Sequence, residues 1–216
     1  MKRTVLLLII LLFSFSLYAQ VERESLAFVR INGESNFLTH DSKAWGTKAH
    51  NGKMGGSLEL GGKWFLCSTN GIFIEGSALL YYSNQPYATV SLLGADIEKV
   101  VIGTSAIKEP GFGCSAAFGY DFILNRNLSL EVFTGPILKS AFNLEPKDQM
   151  YKEYVNKLSF RWKLGAGLNI KDFNFNVSFS EDVLNRGKRF ESSVKKRYRT
   201  YSVSIGVAYR FSLSGK

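Results

Sequence analysis

Apolar and polar side chains alternate with a period of two through most of this chain, and the cleanest case is FNFNVSFS, Phe173 to Ser180. Successive side chains of a strand point to opposite sides, so Phe173, Phe175, Val177 and Phe179 share one face and Asn174, Asn176, Ser178 and Ser180 the other. YSVSIGVAYRF sets Tyr201, Val203, Ile205, Val207, Tyr209 and Phe211 against Ser202, Ser204, Gly206, Ala208 and Arg210. LSFRWKLGAGLNI places Arg161 and Lys163 on its polar face. Glu131 in LSLEVFTGPIL and Glu75 in IFIEGSALLYY oppose aliphatic residues in the same way. In GFGCSAAFGYDF, Asp121 opposes Phe112, Phe118 and Tyr120, and in SLELGGKWFL, Glu59 and Lys63 oppose Leu58, Leu60 and Trp64. SLAFVRING is the least regular, because Leu26 and Phe28 share a parity with Arg30 and Asn32.

These stretches make eight strands, and the segments joining them alternate in length. CSTNG, LNRN and KD are tight reversals built from turn-forming residues, whereas the segments after the first, third, fifth and seventh strands are long. Short turns on one rim and long loops on the other is the asymmetry of an outer-membrane barrel. The expected fold is therefore all-β: an eight-stranded antiparallel up-and-down transmembrane β-barrel. Two alternatives share the pattern. TVSLLGADIEKVVIG, within residues 84–110, alternates in its own right, and would extend the third strand, form a hairpin in the loop or raise the count to ten. A soluble lipocalin-like barrel has the same eight strands with the apolar set turned inward.

Three features point the apolar set outward. The polar faces consist mostly of Gly, Ala and Ser with single charges between them, which suits a narrow interior. Those charges carry both signs, Glu59, Glu75, Asp121 and Glu131 against Arg30, Lys63, Arg161, Lys163 and Arg210, so they can pair inside a barrel. Large aromatics, Trp64, Tyr120, Phe122, Phe173, Tyr209 and Phe211, recur next to the short turns, at the height of an interfacial girdle.

The N-terminus sets the compartment. Lys2 and Arg3 precede the apolar run TVLLLIILLFSFSLYA, and QVERES after it turns abruptly polar. This is the layout of a secretory signal, with cleavage expected between Ala19 and Gln20: residues 1–19 a signal peptide, residues 20–216 the barrel domain. Losing Lys2 and Arg3 takes the formal charge from +9 to +7. The two cysteines, Cys67 in a turn and Cys114 within a strand, are expected to lie too far apart to bridge.

A Gly-rich strand ending on an aromatic, a short polar turn and an ascending strand with an LxLE-like start form a repeated unit. GYDFILNRNLSLEVFTG, GGKWFLCSTNGIFIEGSALLYY, GLNIKDFNFNVSF and the terminal GVAYRF carry it. On these residues the chain resembles the outer membrane protein beta-barrel domain family, the small OmpA- or OmpX-like barrels, over essentially all of the mature sequence. The resemblance implies fold and a bacterial outer-membrane location. It departs at the end, where SLSGK follows Phe211.

Catalytic candidates are few. THDS brings His40, Asp41 and Ser42 together with His50 nearby, residue types that outer-membrane enzymes acting on acyl chains use, but adjacent loop residues diverge and rarely meet as a triad. Two His in a loop also lack the fixed spacing of a metal site. RGKRFESSVKKRYR offers Arg186, Lys188, Arg189, Lys195, Lys196, Arg197 and Arg199 just outside the lipid, where they could meet lipopolysaccharide phosphates; a solvated charge run is the plain alternative. No phosphate-cradling loop or CxxC pair occurs. The expectation is a non-enzymatic, cofactor-free barrel, monomeric, in contact with outer-membrane lipid and lipopolysaccharide and not with nucleic acid. Its lumen is expected to be filled by side chains and its long loops to carry recognition. A lipid A-modifying enzyme and a narrow porin-like channel are the other readings.

Overall fold

The computed structural model describes residues 24–39, 53–66, 71–92, 99–146, 156–184, 186 and 199–213. Its strands are β1 (Leu26–Thr39), β2 (Lys53–Phe65), β3 (Ile72–Leu92), β4 (Lys99–Asn125), β5 (Leu128–Ala141), β6 (Glu145–Pro146), β7 (Leu158–Ile170), β8 (Phe173–Asp182) and β9 (Arg199–Ser212). The sheet runs β3-β2-β1-β9-β8-β7-β5-β4, and pairing of β3 with β4 closes it into an eight-stranded ring. Every pairing in that ring is antiparallel. Closure leaves no free edge along the wall, because each strand hydrogen-bonds on both sides.

The ten-stranded alternative is excluded by register. β3 runs on to Leu92 and β4 begins at Lys99, its partner, so the alternation around residue 90 lengthens two existing strands instead of adding new ones. A shift of register between Thr89 and Val90 is the one irregularity of that hairpin. β2 pairs with β3 only as far as Tyr82, and β5 with β4 only down to Gly111. Beyond those points the hairpin continues as a two-stranded ribbon, from Ser83 to Leu92 and back, roughly 30 Å long at ~3.3 Å per residue. β6 pairs with its base, at Ile107 and Lys108. β1 is likewise longer than its core motif, since Glu34 to Thr39 pair with β9 instead of forming loop.

The tight reversals lie on one rim together with the ends of the barrel chain, where Leu26 pairs with both Lys63 and Ser212. The β4–β5 turn is held by the Asn127 amide donating to Asn125 Oδ1 at 2.9 Å, the local bond that makes Asn a turn residue. The β7–β8 turn places Lys171 at a φ of 51°, a left-handed conformation that costs a non-glycine residue about 1–2 kcal/mol. Arg210 steadies that turn: its backbone amide donates to Asp172 O at 2.8 Å and its guanidinium to Lys171 O.

The facing is the reverse of a lipocalin-like barrel. Ile31, Leu60, Leu164, Phe175, Val177 and Ile205 are exposed on the outer wall, Ile205 at 69%, while the polar partners on the same strands are buried. Phe28 goes inward with Arg30, which accounts for the irregular parity of the first strand. Trp64, Phe173, Tyr209 and Phe211 are exposed near the short-turn rim. Phe122, expected with them, is buried at 8%, its ring 4.6 Å from that of Tyr120.

Four large rings also point inward, and each sits directly across from a glycine: Phe28 from Gly61, Phe73 from Gly119, Tyr81 from Gly111 and Phe133 from Gly165. A Cβ at these glycines would lie 2.4 to 2.6 Å from a ring carbon. The notches are what let rings fit inside a barrel this narrow. Gly165→Leu is expected to lower the urea midpoint of the folded barrel in detergent by the equivalent of about 1–3 kcal/mol, through overpacking against Phe133. Gly33→Leu, on the outer wall with nothing within 4 Å of the added carbon, is expected to leave it within about 0.5 kcal/mol.

Candidate functional site

The polar positions of the strands converge on the barrel axis, where their side chains are buried and a buried charge must be paired. Arg30 on β1 is the hub of the middle layer. Its guanidinium donates to Glu59 Oε2 at 3.1 Å and forks across Glu75 at 2.9 and 3.1 Å. Lys163 from the opposite wall stands 3.9 Å from the same Glu75 and donates to Ser115 Oγ at 3.1 Å. Nearer the short-turn rim, Lys63 pairs with Glu131, whose carboxylate also accepts from Asn174 at 3.0 Å and Asn169 at 3.2 Å. Asn169 reaches Asp121 as well, at 3.3 Å.

Toward the long-loop rim, Lys139 holds Glu34 through two 3.0 Å bonds. Arg161, 1% exposed, donates to Asp182 at 3.1 Å, to Ser202 at 3.1 Å and to Thr200 at 2.5 Å. Asp182 is completed by the Ser159 and Thr200 hydroxyls, each at 2.7 Å, so three strands are tied through one carboxylate. At the mouth, Arg186 pairs with Glu109 at 2.8 Å.

The inward rings serve these cations. Arg30 lies over Phe28 at 4.5 Å, Lys63 over Phe73 at 4.1 Å, Lys139 over Tyr81 at 5.0 Å and Lys163 over Phe133 at 5.5 Å. The same motif thus recurs four times: a glycine notch, a ring laid across it, a cation over the ring and a carboxylate beside the cation. A cation over a ring face gains most where it is desolvated.

Of the charges assigned to the interior by alternation, Arg30, Glu59, Lys63, Glu75, Asp121, Glu131, Arg161 and Lys163 are buried. Arg210 is only partly so and sits at the turn rim, bonded to the Lys171 carbonyl. Glu34, Glu109, Lys139 and Asp182 belong to the same network without having been singled out. The signal is in the sequence: each continues the parity of an inward set, as Glu34 follows Arg30 and Asn32, but each falls at the end of a strand pattern or in a stretch whose composition is that of a loop.

The loop candidates separate differently. Arg186, expected to meet external phosphates, is 2% exposed and its guanidinium is engaged by Glu109 inside the mouth, so it is not an external ligand. Arg199 is exposed at the outer end of β9, opposite Thr39. Lys188, Arg189, Lys195, Lys196 and Arg197 lie outside the described residues, as do His40, Asp41, Ser42, His50, Cys67 and residues 1–19. Cys114 is exposed on the outer face of β4. Among the described residues, no group of three His, Cys, Asp or Glu could hold a metal ion.

Chemically the lumen is a set of neutralised pairs. Breaking one should cost far more than removing it whole. Lys63→Met, which strands the Glu131 carboxylate, is expected to cost about 3–5 kcal/mol in urea unfolding of the detergent-held barrel. Lys63→Met with Glu131→Gln is expected to recover most of that loss; equal losses in the single and double variants would mean the pair is not what holds these strands.

No protein family matches the sequence, and no curated protein does either. Among solved structures the chain is similar to Ail, the attachment invasion locus protein of Yersinia pestis, at 15% identity over 88% of this chain and 100% of that one, with a TM-score of 0.41. It is similar to Neisserial surface protein A at 11% identity, over 86% of this chain and 97% of that one, TM-score 0.44. The outer membrane enzyme PagL aligns at 11% identity over 82% and 98% of the two chains, TM-score 0.40. The architecture itself rests on the strand register described above: a small, closed, eight-stranded antiparallel barrel of up-and-down topology.

Proposed function

We propose that this chain is an integral protein of the bacterial outer membrane, exported behind a cleaved signal peptide, with a structural or surface-binding role carried by its long outer connections. The observation behind this reading is the facing of the wall. Exposed Ile31, Leu60, Leu164, Phe175, Val177 and Ile205 belong to a belt that continues around the closed ring. A water-soluble monomer rarely exposes more than roughly a few hundred Å² of contiguous apolar surface. Hydrocarbon removes that penalty, and a closed barrel is one of only two backbone forms that satisfy every N–H and C=O there. Exposed Trp64 and Tyr209 near the turn rim fit an interfacial girdle.

The ion-paired lumen argues for a scaffold over a conduit, since interior side chains fill the space an open pore would need. The carboxylates inside it are committed to cations, which argues for a non-catalytic role. Recognition then falls to what rises from the long-loop rim: the β3–β4 ribbon and the basic segment that ends at Arg199. Lys188, Arg189, Lys195, Lys196, Arg197 and Arg199 suit the phosphates of lipopolysaccharide, which guanidinium groups can grip in bidentate fashion.

Two measurements test this. Protein recovered with the outer-membrane fraction is expected to migrate differently on a gel before and after boiling and to give a β circular dichroism spectrum in detergent; recovery as a freely soluble periplasmic protein would reject the membrane assignment. Replacing the six basic residues with Gln is expected to cut binding to lipopolysaccharide aggregates at ~0.15 M salt by at least about tenfold, at roughly 1 kcal/mol per cation near an anionic surface. Unchanged binding would remove lipopolysaccharide as the ligand while leaving the location intact.

A further inference from the structure

One contact at the outer mouth ties the base of the β3–β4 ribbon to the outer ends of the neighbouring strands β7 and β8. Arg186 lies just past the end of β8 and is 2% exposed. Its Nη1 and Nη2 donate to the two oxygens of Glu109 at 3.2 and 2.8 Å. Nη2 also donates to the carbonyl of Asn156 at 3.0 Å, and the Asn156 amide returns a bond to the Arg186 carbonyl at 2.8 Å. Glu109 stands on β4 just outside its last pair with β5, at the base of the ribbon. Asn156 lies just before β7. Next to them, β6 pairs with Ile107 and Lys108, and both Ile107 and Leu144 are buried.

We propose that Arg186 is a latch: its fork onto Glu109 and its exchange with Asn156 hold the roots of three outer connections in one arrangement before any ligand arrives. A bidentate guanidinium–carboxylate pair sets geometry as well as adding attraction. A buried pair is also not easily opened, because either partner alone would be a desolvated charge. Ordering the roots in advance removes part of the entropy that binding would otherwise cost. Arg186 is then a positioning residue and touches no ligand. The latch holds whether or not the basic segment binds lipopolysaccharide.

The test uses the full chain folded in detergent, with the shift on boiling as the check that the barrel is intact. Trypsin is added and cleavage within residues 187–198, which contain Lys188, Arg189, Lys195, Lys196 and Arg197, is timed by mass spectrometry. Arg186→Met and Glu109→Gln are each expected to speed that cleavage at least about tenfold, with Arg186→Lys in between because it keeps the charge and loses the fork. Cleavage at the native rate in both Arg186→Met and Glu109→Gln would overturn the proposal. Hydrogen exchange on the unmodified protein decides the matter even if those variants do not fold. The Asn156 amide is expected to exchange at least about a hundredfold slower than an open chain, and exchange at the open-chain rate would overturn the latch.

Discussion

A charge inside a narrow barrel cannot turn to bulk water, and that single constraint organises this molecule. Each cation of the lumen finds a carboxylate, as Arg30 does in Glu59 and Glu75 and Lys63 in Glu131. The pairs span strands far apart in sequence, so they act as struts across the ring: Lys139 on β5 reaches Glu34 on β1, and Lys163 on β7 reaches Glu75 on β3. Space sets the second condition. Four glycines facing the lumen make room for Phe28, Phe73, Tyr81 and Phe133, and those rings in turn underlie Arg30, Lys63, Lys139 and Lys163. Notch, ring, cation and acid form one repeated unit of interior packing.

With these cations and carboxylates paired within, the apolar side chains are left to the outside. The inward positions of the strands carry charged, amide and small side chains, so the Leu, Ile and Phe residues that alternate with them cover the wall. The wall is uniform where strands pair on both sides. It ends above Tyr82 and Gly111, where β3 and β4 leave their neighbours and pair only with each other apart from β6 at the base. Arg186, Glu109 and Asn156 meet at that boundary, so the last ion pair of the lumen is also the first tie among the outer connections.

The period of two made the architecture legible because the outer wall and the lumen carry opposite chemistry and successive residues face them in turn. FNFNVSFS is exposed at Phe173, Phe175, Val177 and Phe179 and buried at Asn174, Asn176 and Ser180, as its pattern requires. The interior acids and bases could be named for the same reason. What the pattern could not supply was register. That Phe133 faces Gly165, or that Lys63 meets Glu131 across the lumen, depends on strand stagger and not on local order. Charge alone does not place Arg186, which stands in a basic run yet turns inward to Glu109 at the ribbon's base. Phe122 was misread likewise, because parity says which side a ring takes and not whether a neighbour such as Tyr120 covers it.

We propose above that the apolar wall of this barrel lies against hydrocarbon. Trp64 and Trp162 are exposed on that wall, 47% and 44% by surface, and both report their surroundings by fluorescence. The most direct measurement is the emission of a Trp45→Phe variant, which leaves these two indoles, refolded into vesicles whose acyl chains carry bromine. The expected result is blue-shifted emission, strongly quenched by the brominated chains and little affected by aqueous iodide. Emission that iodide quenches and brominated lipid does not would place the wall in water and contradict it.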